Sequence, residues 1–289
     1  MKVLLTGAGG QLGRALMQAR PTDADVIALD RVALDIGDRA AVLAAVAAHR
    51  PELIVNAAAY TAVDRAEQEP EAAAQINHHA VQYLADAAMT YDARLVHVST
   101  DFVFDGMQGQ LYYIDDTPRP LSVYGATKWA GEQAALSAPN SLIVRTSWVY
   151  GVDGANFVKT MLRLMAARDE VRVVADQIGT PTHAASLARA IWALAGQGAA
   201  GIVHVTDAGV ASWYDFAQAI QDEAVAIGLL DRVVPIVPIA TEDYPTPAKR
   251  PAFSVLDKSA SWALLGVPAA HWRAELGLML HQLKDMTRG

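Results

Sequence analysis

A doubly wound α/β fold, one parallel sheet covered by helices and carrying a smaller cap, is the architecture that the sequence predicts. Three observations lead to it. β-Branched and apolar runs of strand length recur through the first half of the chain, with a helix-length segment between each and the next. Within each run polar and apolar residues alternate little, which is the pattern of strands buried on both faces. A glycine-rich turn joins the first run to the first helical segment, as in the Rossmann-type version of this fold.

The first run is KVLLT (2–6), and GAGGQLG follows it directly. Gly7, Gly10 and Gly13 are spaced for a tight turn, for backbone approach to a pyrophosphate, and for close packing of the next helix on the sheet. The helix LGRALMQAR would then offer phosphates the free amides of its first turn, near Gln11 and Leu12, and its positive end. The second run, DVIAL (25–29), leads into Asp30, roughly twenty residues on from the loop. A carboxylate there can bond the hydroxyls of an adenosine ribose and repel a 2′-phosphate, although a surface aspartate closing a strand looks the same. Arg31 comes next and could meet a 2′-phosphate, so the expected cofactor is NADPH or NADH. LDIGD places Asp35 and Ile36 near the adenine edge.

The helix AAVLAAVAAHR (40–50) leads to ELIVN (52–56) and then NAAAYTAVDRAE (56–67). Small residues at that strand end would let a cofactor lie across the sheet at Ala59, Tyr60 and Thr61, and alanines equally serve tight packing. After the helix HAVQYLADAAMTY (79–91), the strand RLVHV (94–98) runs into VSTDFVF (98–104). Val98, Ser99, Thr100 and Asp101 thereby reach the crevice where such sheets bind ligands. In LSVYGATKWAGE (121–132), Pro118 and Pro120 keep the preceding chain extended and Ser122 can cap a helix starting near Tyr124. Tyr124 and Lys128, four apart, share one face of it. A catalytic pair fits that spacing, and so does a plain surface pairing of Lys128 with Glu132.

SLIVR (141–145) is the fifth strand, and VRVVA (171–175) and GIVHV (201–205) are expected to extend the same sheet. The helices NFVKTMLRLMAARDE (156–170) and WYDFAQAIQDEAVAIG (213–228) belong to the cap, with the stretch 233–251, too rich in proline for a buried central strand. The expected division is 1–150 and 171–211 for an NAD(P)-binding domain, and 151–170 and 212–289 for a discontinuous substrate-binding cap.

Composition narrows the function. With 53% hydrophobic and 19% charged residues the chain is globular in type. A net charge of −8 and a pI near 5.4 disfavour nucleic acid and anionic membranes as partners. There is no cysteine, which excludes disulfides, thiolate catalysis and cysteine-ligated metals. The eight histidines form no ligand pattern, and His78 and His79 project in different directions, so no metal site is expected. No stretch reads as a membrane span and the N-terminal run breaks into glycines too early for a signal peptide; a cytoplasmic protein is expected.

Glycine loop, strand-end hydroxyl and Tyr124-x-x-x-Lys128 together resemble the extended short-chain dehydrogenase/reductase superfamily. GQLG, NAAAYTAVDRAE, STDFVFDG, VYGATKWAGE, RTSWVYG, NFVKTMLRL, DQIGTPT, WYDFA and YPTPAKRP are similar, more narrowly, to the signatures of the dTDP-4-dehydrorhamnose reductases, from residue 7 to about 257. The resemblance implies reduction by NADPH or NADH of the 4-keto group of dTDP-6-deoxy-L-lyxo-4-hexulose, giving dTDP-L-rhamnose. Tyr124 would be the proton donor, drawn down from a pKa of about 10 by the Lys128 cation and the nicotinamide ring. Lys128 would also hold the nicotinamide ribose, and Thr100 the carbonyl oxygen.

By the same resemblance Val63, Asp101 and Trp148 would lie beside the sugar, although Trp148 suits interdomain packing equally. Lys249 and Arg250 would clamp the substrate's pyrophosphate or form a solvated basic pair. Some relatives pair through a magnesium ion held by an acidic residue where this chain has Ala15, so a monomer or weak homodimer is expected. Two other readings stay open: a reductase of a different nucleotide-linked 4-ketosugar, and a non-catalytic regulatory subunit of a methionine adenosyltransferase.

Overall fold

The computed structural model describes residues 1–288. Its main sheet has six strands: β1 (Lys2–Thr6), β2 (Asp25–Leu29), β3 (Leu53–Asn56), β4 (Arg94–Thr100), β5 (Leu142–Thr146) and Gly201–His204. All pair in parallel, in the order β2-β1-β3-β4-β5 with Gly201–His204 at the far edge. The chain leaves β1 toward β2 and then crosses back to β3. That reversal opens a crevice beyond the carboxyl ends of β1 and β3.

Helices cover both faces, which is why the central strands are largely apolar. On one face Leu16, Leu187, Ile191 and Trp192, from Gln11–Gln18 and Ala184–Gly196, pack on the sheet. On the other, Arg39–His49, Ala80–Tyr91 and Val123–Leu136 contribute Val42, Val46, Leu84 and Ala135. The helix expected from residue 79 is preceded by Pro70–Ala74 and a π turn over Gln75–His79. A separate core, including Met161, Met165, Phe216, Ile220 and Leu280, fills the cap between Phe157–Ala167, Trp213–Ala226 and Trp272–Arg288. The first two of these helices start at side-chain caps, Asn156 on the Lys159 amide and a reciprocal Ser212–Asp215 box.

One strand is not where the sequence reading put it. Val171–Val174 does not extend the main sheet but pairs in parallel with Ile236–Ile239 in a two-stranded sheet of the cap. Its alternation explains this: Val171 and Val173 are buried in the cap core while Arg172 is exposed. A strand inside the main sheet would bury both sides. Pro238 is tolerated in the partner strand because it faces outward on a two-stranded ribbon. The segment after the proline-rich stretch returns to the main body, where Leu256 packs with Val103, Phe104 and Tyr112.

Candidate active site

At the end of β1 the glycine loop presses directly on the end of β3. Gly7 has φ of 71°, and a Cβ there would lie 2.6 Å from the Ala58 amide nitrogen. At Gly13 a Cβ would fall 2.2 Å from the Gly7 carbonyl oxygen, so the helix Gln11–Gln18 can sit this close only with glycine. No side chain caps Gly10 at the start of this helix. Its first amides are therefore available to an anion. Leu12 packs toward the core, and the Gln11 side chain is committed elsewhere, donating to Val149 O and accepting from Asn156 Nδ2. Only the Gln11 backbone is left to face a phosphate. This uncapped cradle, in which any Cβ would collide, fits a dinucleotide pyrophosphate.

Asp30 stands beside the loop, with its Cβ 3.3 Å from where a Gly9 Cβ would be. Its Oδ1 already accepts the amides of Val32 and Ala33, which leaves Oδ2 for a ribose hydroxyl. Arg31 is exposed, and Arg14, which the sequence reading passed over, lines the same open hollow as Asp30. Arg14 Nε donates to Gly9 O at 3.2 Å and pairs with Asp153 at 3.8 Å. Asp30→Asn keeps the Oδ1 cap and removes the charge, so the ratio of kcat/KM with NADPH to that with NADH should rise about three- to fivefold, the worth of one exposed charge. Steady-state rates with both cofactors test this, and an unchanged ratio would mean that Asp30 does not face the 2′ position.

Two other adenine-side expectations fare differently. Asp35 caps its own turn through the Gly37 amide, and the Ile36 side chain is only 5% exposed, inside the core. Ile36 can therefore offer a ligand no more than backbone. From the turn ahead of Arg39–His49 it packs into the same core as Val42 and Leu34. Ala59, Tyr60 and Thr61 follow the end of β3, the first two half-buried and Thr61 exposed. Asn77 in the π turn fixes them by donating to Tyr60 O and accepting from Tyr60 N, while also donating to Thr127 on the Tyr124 helix.

Tyr124 and Lys128 lie on the helix Val123–Leu136, whose start is doubly capped. Ser122 accepts from the Gly125 amide as expected, and Glu67 accepts from the Val123 amide at 2.8 Å. Gly125 lets this helix touch the turn after β4, since a Cβ there would lie 2.2 Å from Phe102 O. That contact brings Tyr124 edge-on to Phe102 and its hydroxyl toward that of Thr100. Burial pushes the Tyr124 pKa up to about 12, the Thr100 hydroxyl opposes this, and the Asp101 charge adds to it. Lys128 does not draw it down as the sequence reading expected. The amine points instead to Val98 O at 2.6 Å and to His97 Nε2 at 3.3 Å.

The pairing of Lys128 with Glu132 is absent as well. Glu132 is fully buried and takes Arg145 of β5 in a two-bond bridge of 2.9 and 2.7 Å. Lys128 is buried too, and desolvation lowers its pKa to about 8.

On the substrate side, Thr100 donates to Asp101 Oδ1 at 3.0 Å while Asp101 Oδ2 is buried without a bond. Burial lifts this carboxyl to about 6. Ser99 Oγ and Thr146 Oγ1 are likewise buried and unbonded. Val63 starts the short helix after β3 and is half-buried. Trp148 has a left-handed φ of 47° and stacks on Trp213 at 3.5 Å, so interdomain packing is at least part of its work. The strain marks a position held for a purpose.

Arg250 is not a free clamp. It makes a bidentate pair with Asp64 at 3.1 and 2.8 Å, tying the cap's returning segment to the end of β3, and the bond holds the Asp64 carboxyl below its usual range. Lys249 is exposed. Ala15 is buried and offers no ligand, and no group of three or more His, Cys, Asp or Glu side chains stands together among the described residues. No helix among them is long and apolar enough to cross a membrane.

Known proteins agree with this geometry. A dTDP-4-dehydrorhamnose reductase of Aggregatibacter actinomycetemcomitans is 45% identical over 284 residues, covering 95% of this chain and 97% of its own. A probable dTDP-4,6-dihydroxy-2-methyloxan-3-one 4-ketoreductase of Streptomyces antibioticus is 43% identical over 285 residues, covering 96% and 93%. The structure of dTDP-4-dehydrorhamnose reductase from Bacillus anthracis in complex with NADP superposes with a TM-score of 0.91 at 38% identity, over 97% of this chain and 99% of that one. The family described as the RmlD substrate binding domain matches residues 1–285. With its parallel sheet, glycine cradle and Thr100–Tyr124–Lys128 set, the chain belongs to that family.

Proposed function

We propose that the chain is a dTDP-4-dehydrorhamnose reductase, reducing the 4-keto group of dTDP-6-deoxy-L-lyxo-4-hexulose to dTDP-L-rhamnose. The observation that carries this is the meeting of Tyr124, Thr100 and Asp101 at the carboxyl end of β4, where burial keeps the phenol protonated. Bound NADPH or NADH would supply the hydride, held by the loop Gly7–Gly13 at its pyrophosphate and by Asp30 at its adenosine ribose. Tyr124 gives its proton to the developing alkoxide, and Thr100 orients the oxygen that receives it. Asp101 Oδ2 accepts from a sugar hydroxyl, relieving a buried oxygen that has no bond. A cytoplasmic location accords with this role.

Purified protein with NADPH and the keto sugar should consume the cofactor and yield dTDP-L-rhamnose; no turnover with either cofactor would sink the proposal. The Streptomyces antibioticus relative favours one second reading, a different dTDP-linked 4-ketosugar as substrate. A kcat/KM higher for such a sugar than for the rhamnose precursor would establish it.

Lys249 is the cation of the cap pair left free for the substrate's pyrophosphate, and Arg250 serves as a tie. Lys249→Ala should raise the substrate KM about three- to tenfold, with cofactor KM unchanged. Arg250→Ala and Asp64→Ala should produce the same change as each other and as the double variant, because they break one link. Unequal substrate KM values for these two would return Arg250 to the pyrophosphate.

A further inference from the structure

Behind Lys128 a chain of buried polar groups runs from β1 across the sheet, and none of it was used above. Thr6 Oγ1 donates to Asn56 Oδ1 at 2.7 Å, and the Ala58 amide donates to the same oxygen at 3.2 Å. Two donors on that atom fix the amide's orientation, so Asn56 Nδ2 is the atom 3.0 Å from His97 Nδ1. An NH₂ group only donates. His97 Nδ1 must accept, and its proton therefore sits on Nε2, facing the Lys128 nitrogen. Thr6, Asn56 and His97 are all fully buried, and burial, the larger cause, holds the His97 pKa well below its usual value, so the ring stays neutral.

An ammonium opposite an N–H would be two donors in contact. A neutral amine resolves this, because its lone pair accepts from His97 while one N–H goes to Val98 O. The Glu132 charge favours the ammonium, but both of its oxygens are bonded to Arg145 and neither reaches the amine. From this geometry we infer that His97, locked in the Nε2–H tautomer by Asn56, is a positioning residue that disfavours the ammonium form of Lys128 before ligands bind. The inference rests on the reductase proposal for what Lys128 does, but not for its proton. The neutral form carries a vacant proton position on the helix face it shares with the general acid. The ammonium is favoured again when an incoming hydroxyl or a shift of the amine offers another acceptor.

Other ionisable or charged groups around Lys128 are few. They are Tyr124 and Glu132 on its own helix, Arg145 on β5, Asp101 in the turn after β4, and His78 and His79 stacked on each other in the π turn. None is bonded to the amine among the described residues.

Imidazole ¹⁵N NMR on the ligand-free protein reads the tautomer directly. His97 should show a protonated Nε2 and an unprotonated Nδ1 from pH 6 to 9; a protonated Nδ1 or an imidazolium would overturn the inference whatever the enzyme's substrate. Asn56→Asp supplies an acceptor at Nδ1, so it should reverse the tautomer and turn Nε2 into an acceptor for an ammonium. The ¹³Cε titration of Lys128 should then move up by about one pH unit or more, with the alkaline limb of kcat/KM moving alike. If Asn56→Asp fails to fold, His97→Phe removes the facing N–H and should shift the Lys128 titration upward too. An unshifted titration in the folded variant would reduce the chain to packing. Loss of the reductase assignment would show in the turnover assay and leave the tautomer untouched.

Discussion

Tyr124→Phe is expected to lower turnover by about 10²–10⁴-fold, with substrate and cofactor affinity within about twofold of the parent. The substitution removes one hydroxyl and keeps the ring, so the edge contact with Phe102 survives and stability should hold. Its large effect follows from the protonation state. With its pKa near 12 the buried phenol is a neutral acid throughout the physiological range, which is the form a reduction requires. The sequence reading reached the same role through a pKa lowered by Lys128 and the nicotinamide ring together. Without that ring, burial raises it, and Lys128, its own charge disfavoured by burial, does not offset the rise. Turnover in Tyr124→Phe should therefore show no recovery between pH 6 and 9. Near-normal turnover would remove the general acid and with it the enzyme assignment, reviving the regulatory-subunit alternative.

What could be read in advance was what local sequence decides. The strands of the main sheet announce themselves by β-branched runs buried on both sides, and the Ser122 cap by prolines followed by a helical period. The glycine loop could be placed because its steric demands, seen at Gly7 and Gly13, leave no other residue acceptable. Long-range partners were hidden. Asp64 lies 186 positions from Arg250, and neither residue carries a mark that distinguishes a tie from a pyrophosphate clamp. Val171–Val174 was assigned to the wrong sheet although its exposed Arg172 was visible as a break in the apolar run. His97 was passed over inside RLVHV because a single histidine in a strand announces neither its burial nor its tautomer. Both depend on Asn56, one strand away.

Lys128→Met and Glu132→Ala should part company completely, and that divergence tests whether the Tyr124-x-x-x-Lys128 spacing is chemistry or surface pairing. Methionine keeps the aliphatic stem in its buried slot and removes an amine whose charge is already disfavoured there, so folding stability should hold or rise slightly. Turnover should fall about 10²-fold or more, together with cofactor affinity, as the nicotinamide ribose loses its partner. Glu132→Ala acts on a different bond. It leaves the Arg145 guanidinium, 2% exposed and with Nη1 already unbonded, without its carboxylate inside the sheet. Removing one partner of such a buried pair destabilises by about 3–5 kcal/mol, a large part of the stability of a domain. Chemical denaturation should show that loss for Glu132→Ala and none for Lys128→Met, while the specific activity of the protein that stays folded should be near normal for Glu132→Ala. A surface pair would instead give both variants the same small change in stability and leave turnover alone, and that result would strip Lys128 of its place in the site.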